Sequence, residues 1–94
     1  MNKNKFEQIG FDEGLSEELV LRSLLVDDVS RIVKRHSYSS KELQLILGQP
    51  QPEISYLLNG KISRFSSEKL FKFLNALGAK VEIRVKIPEK KIAV

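Results

Sequence analysis

The chain contains no cysteine and a single histidine, His36, so disulfides, thiolate metal sites and histidine-rich metal clusters are all excluded. Any metal would have to be held by carboxylates alone, and no metal or other cofactor is expected. No apolar run approaches the ~20 residues that a membrane-spanning helix needs. The opening Met1-Asn2-Lys3-Asn4-Lys5 is followed by no apolar signal-peptide core, and the expectation is a cytoplasmic protein. Paired carboxylates, a nucleophile beside a base and a phosphate-cradling glycine loop are also missing at credible spacing, which gives catalysis no anchor. A small basic ribonuclease is the enzymatic alternative, and the lone histidine has no evident partner for it. What remains is 94 residues, enough for one domain and no second core.

The net charge of +4 is unevenly spread. Residues 1–48 hold 7 Lys/Arg against 8 Asp/Glu, a net of −1, whereas residues 49–94 hold 9 against 4, a net of +5. Clustered positive charge suits a polyanion, but it equally suits a solvated face. Charge alone leaves the function open.

Residues 1–14 mix Asn, Lys, Gly and acids around Phe6, Ile9 and Phe11 without a sustained period, and they read as a mobile arm. The alternative is that the two phenylalanines dock on a partner chain. A domain over 15–78 follows. Ser16 stands where a helix N-cap belongs, with Glu17 and Glu18 complementing the dipole of the first turn. Leu21, Leu24, Leu25, Val29, Ile32 and Val33 recur at helical spacing to about His36, itself a dipole-complementing residue, while Arg22, Asp28 and Arg31 are available to the wet face. Ser39 and Glu42 fit a capping box opening a second helix through Leu47, which Gly48 ends in a left-handed conformation. Pro50 and Pro52 must lie near the start of a third helix, closed by Asn59-Gly60. A fourth starts at Ser66, with Phe65 and Leu70 as a hydrophobic staple, and stops at Gly78. Phe65, Phe71 and Phe73 belong to core or interface, and Lys69 and Lys72 to a wet face.

The period then changes. Ala79, Val81, Ile83, Val85 and Ile87 alternate with Lys80, Glu82, Arg84 and Lys86 before Pro88, the pattern of a strand over 79–88 followed by a tail at 89–94. A single strand cannot satisfy its own backbone groups. The favoured partner is the same strand of a second copy, pairing about a two-fold axis through Val81, Ile83 and Val85; the competing partner is the arm around Phe6 to Phe11.

The third helix is built for display. Ile54, Leu57 and Leu58 can anchor one face while Gln51, Glu53, Ser55 and Tyr56 point outward, only a short turn after a capped helix. That is the layout of a helix-turn-helix, whose first helix braces and whose second enters a DNA major groove.

Several marks are more selective than periodicity: Leu47-Gly48, Gln51-Pro52, Ile54-Ser55, Asn59-Gly60-Lys61-Ile62, Arg64-Phe65-Ser66, Lys69-Leu70 and the closing Leu74-Asn75-Ala76-Leu77-Gly78-Ala79-Lys80-Val81-Glu82-Ile83. Through them the chain resembles the Xre/Cro-type helix-turn-helix proteins, and within these a HigA-like antitoxin group. The resemblance implies a mostly α, lambda-repressor-like bundle of four helices with a C-terminal β-strand pairing across a homodimer. It further implies a repressor of a double-stranded DNA operator, often encoded beside a RelE/HigB-like ribonuclease toxin. Carried over by position, Ser40 stands where the family's Gln contacts the DNA backbone. Gln51, Glu53, Ser55 and Tyr56 fall on the base-reading face, and Lys61 and Arg64 where a loop meets phosphates. Ser40 is shorter than that Gln, Glu53 replaces a usual Arg, and Leu43-Gln44 replaces small alanines. Glu53 can still accept from cytosine N4, Gln51 bridge to adenine and Tyr56 pack on a thymine methyl. The alternative is a protein-interaction module that neutralises a toxin with little DNA binding.

Overall fold

The structure, a computed structural model, describes residues 16–92. Four helices and one 3₁₀ turn follow one another: α1 Glu17–His36, α2 Ser40–Leu47, α3 Gln51–Leu58, the 3₁₀ turn Ile62–Arg64, and α4 Ser67–Ala76. Each boundary has a chemical cause. The Ser16 hydroxyl accepts from the Leu19 N–H, and the first and last turns of α1 carry Glu17, Glu18 and Lys34, Arg35, His36, which complement the two ends of its dipole. At α2, Ser39 and Glu42 close a reciprocal capping box, with the Ser39 hydroxyl accepting from the Glu42 N–H at 3.1 Å and the Glu42 carboxylate accepting from the Ser39 N–H at 2.8 Å. Gly48 ends α2 at φ 64°. Between α1 and α2 the left-handed position is held by a non-glycine residue, Ser37 at φ 54°, which the sequence pattern did not mark.

Helix α4 opens as its sequence predicts, with the Ser66 hydroxyl capping Lys69 N–H at 3.1 Å and both staple residues, Phe65 and Leu70, buried. The core gathers one face from every helix: Leu25, Val29 and Val33 of α1, Leu43 and Leu47 of α2, Ile54 and Leu57 of α3, and Leu70, Phe73 and Leu74 of α4. Phe65 and Phe73 meet edge to face, with ring centroids 5.8 Å apart. Leu43, where the family pattern has a small alanine, is fully buried and packed within this core.

Residues 79–92 run on without helix or strand. Ala79 and Val81 pack against the core, whereas Ile83, Val85 and Ile87 are exposed. The paired strand expected over 79–88 is therefore not formed among the described residues, because a ladder is a relation between two strands and no second strand lies among them. An open groove of about 870 Å³ separates this tail from α1, lined by Leu21, Leu24, Ile32, Ala79 and Val81 among others. The arm at 1–14, with Phe6 and Phe11, falls outside the described residues, as does the very end of the tail.

Candidate nucleic-acid interface

Helix α3 is fixed from beneath by Ile54 and Leu57, both essentially inaccessible to solvent. Its entry is set by Pro50, which takes the N-cap position with extended backbone, and by Pro52 inside the first turn, where a missing N–H leaves no hydrogen bond unmade. With Ile54 and Leu57 pinned, the helical period leaves Gln51 exposed and Glu53, Ser55 and Tyr56 partly exposed. Ser55 is partly engaged at home: Asn59 Nδ2 donates to its carbonyl at 2.8 Å and to its hydroxyl oxygen at 3.3 Å, closing the end of the helix. Ser40 is exposed in the first turn of α2, the bracing helix.

The loop after α3 does not stand apart from it. Arg64, at the end of the 3₁₀ turn, folds back so that its Nη2 lies 3.2 Å from Glu53 Oε2. Its guanidinium carbon sits 4.0 Å from the centre of the Tyr56 ring. Three residues read separately in the sequence as base or phosphate contacts thus form one cluster. Glu53 does not place a lone negative charge on the reading face, because a cation already faces it. Lys61 remains exposed on the same loop.

A second set of contacts anchors this loop from the inside. Arg22 of α1, expected on the wet face, has only 20% of its side chain exposed. Its Nη1 donates to the carbonyls of Ile62 at 3.3 Å and Phe65 at 3.4 Å. Glu18 steadies the guanidinium, with Oε1 at 3.0 Å from Nε and 2.8 Å from Nη2. Its other oxygen, Oε2, accepts from the Ser67 hydroxyl at 2.7 Å. These bonds, first that from Ser67 and then that from Arg22, hold the Glu18 carboxyl below its ordinary value of 4.5. The Arg22–Glu18 spacing of four residues is the visible signal; its bonds to carbonyls 40 and 43 residues away carry none.

A family model described as a helix-turn-helix domain matches residues 6–86. The chain belongs to the helix-turn-helix family. Among solved structures, this helix-turn-helix chain is similar to one assigned as an XRE family transcriptional regulator, at 32% identity and a TM-score of 0.72, over 83% of this chain and 88% of that one. No curated protein sequence matches the chain. Both likenesses agree with an Xre-type helix-turn-helix arrangement of the four helices. Of the helix-turn-helix residues named from sequence, Glu53, Tyr56 and Arg64 are brought together, and Gln51, Lys61 and Ser40 are presented to solvent. Among the dimerisation residues, Val81 is half-buried against the core while Ile83 and Val85 are exposed. None of the helices described is long and apolar enough to cross a membrane.

Proposed function

We propose that this protein is a DNA-binding transcriptional regulator of the Xre type that represses by occupying an operator. The observation that carries this reading is the presentation of α3. Two buried anchors hold it, Gln51 is exposed, and the Glu53, Tyr56 and Arg64 cluster flanks it. Membership of the helix-turn-helix family and the likeness to an XRE family regulator support it. In this reading α3 enters the major groove, Gln51 and Tyr56 face base edges, and Lys61 and Ser40 meet the phosphate backbone. The protein binds and does not catalyse.

The working unit is a homodimer. The alternating residues 79–88 pair with those of a second copy, which satisfies the exposed backbone, covers Ile83 and Val85, and spaces two reading helices by about one duplex turn, ~34 Å. Following the resemblance to HigA-like proteins, its role is that of an antitoxin acting in the cytoplasm, whose operator occupancy is tuned by a RelE/HigB-like ribonuclease toxin.

Fluorescence anisotropy against the gene's own upstream DNA and a scrambled duplex, at several salt concentrations, tests the reading. Binding at least about a hundredfold tighter to the upstream DNA, ~2.7 kcal/mol, is expected. Weak, equal and salt-sensitive binding to both would favour the second reading, a module that neutralises a partner protein. That reading draws on Glu53, which offsets the charge of Arg64 on the very face meant for a polyanion.

A further inference from the structure

The sequence places Arg64 beside Lys61 as a phosphate contact, but its geometry suits a different task. A phosphate contact made from a loop needs only a mobile cation, as Lys61 provides. Arg64 is held on two sides instead: an ion pair to Glu53 in the first turn of α3, and a stack against Tyr56 one turn further on. Both supports belong to the reading helix. They place the guanidinium on that helix's flank while 48% of the side chain stays exposed.

A guanidinium carries five N–H donors in a planar fork, and the Glu53 contact is made through Nη2 alone. The remaining donors belong to a guanidinium whose carbon is held 4.0 Å from the centre of the Tyr56 ring. A long, flexible side chain normally loses much rotamer freedom when it makes two parallel bonds; here that freedom is already restricted in the unbound protein. The acceptor pair in the major groove that matches such a fork is O6 and N7 of guanine. Glu53 also explains itself in this arrangement, because a carboxylate that orients an arginine contributes to discrimination even where it opposes the charge of the duplex.

Resting on the reading of the protein as an operator-binding regulator, we propose that Arg64 is a guanine-reading, specificity-determining residue, and that Glu53 and Tyr56 are the residues that position it.

The experiment begins with duplexes selected by the full-length wild-type protein from a random library. Each guanine of the consensus is then replaced in turn by 7-deazaguanine, which lacks the N7 acceptor. Affinities are compared for the wild type, Arg64→Lys, Glu53→Gln and Lys61→Gln, with thermal melts confirming that each variant is folded. Wild type is expected to lose about tenfold, ~1.4 kcal/mol, at one guanine in each half-site. Arg64→Lys, which keeps the charge and loses the fork, should be weaker on the unmodified duplex and indifferent to that replacement. Glu53→Gln should bind random DNA more tightly yet discriminate less at the same guanine. Lys61→Gln should lower the salt dependence and leave the guanine effect intact.

If no guanine matters to wild type, or if Arg64→Lys retains the wild-type pattern, Arg64 is a phosphate contact and the inference is overturned. A uniform gain by Glu53→Gln with discrimination unchanged would remove its positioning role and overturn that half of it. Failure of the wild type to select any consensus is a different result: it overturns the operator-binding function itself, and the inference falls with it.

Discussion

Glu18 sits at the meeting point of α1 and the loop that follows the reading helix, and its two partners, Ser67 and Arg22, favour its charged form. Its carboxyl therefore titrates lower in the folded protein than in the unfolded chain. Around and below the ordinary value of 4.5, the unfolded state binds the extra proton. Stability from this group is fully present above that pH and is lost as pH falls through the lowered folded value. Glu18→Gln is expected to lower stability by a constant amount at neutral pH and to flatten the acid limb of a urea-denaturation series measured against pH. At Leu43, which is buried to the last atom, truncation to alanine should cost about 2–5 kcal/mol in the same assay. The residue scale is also where the sequence was least legible. Glu53 and Arg64 are eleven positions apart, and Arg22 reaches carbonyls forty and more away. No local period announces such pairs, since they exist only once the intervening helices have turned the side chains toward each other.

The elements themselves were legible because their ends carry chemistry that acts within three or four residues. Ser16, Ser39 with Glu42, Gly48 and Ser66 each act where the sequence put them, through hydroxyl caps or a left-handed backbone. The 3₁₀ turn at Ile62–Arg64 was not foreseen; three residues are too few to show a period, and the Arg22 bonds that brace it are not local. Helix α2 has only eight residues, too short to persist in water unaided, so its caps matter more than average. Ser39→Ala removes the hydroxyl that accepts from Glu42 N–H and should cost about 0.5–2 kcal/mol by chemical denaturation. Gly48→Ala is informative for the opposite reason. A Cβ there would meet nothing within 4 Å, so the expected loss of about 1–2 kcal/mol is purely the left-handed backbone penalty at φ 64°. A larger loss in that variant would mean that the turn between bracing and reading helices carries contacts beyond its own conformation.

For the whole molecule, the proposed dimer rests on the tail. Ile83 has 66% of its surface exposed and Val85 69%, in a segment whose alternation is as clean as any strand. The sequence supplied the pattern; pairing is a property of two chains and so could not be read from one. Ile83→Pro removes a ladder donor and is expected to leave monomers in sedimentation velocity at micromolar concentration, with the helical circular-dichroism signal intact. Wild type that is itself monomeric under those conditions would refute strand-paired dimers.

The Arg22 clasp has a consequence in time. Its acceptors, Ile62 and Phe65, come together with α1 only after the chain between them has been threaded into place, closing a span of 40 residues or more. A contact so distant along the chain is expected to form late and to contribute little at the barrier crest. Deleting it by Arg22→Met should accordingly leave the refolding limb of a stopped-flow chevron where it is and raise the unfolding limb. The clasp then acts as a latch, setting how long the folded molecule persists and not how fast it is made.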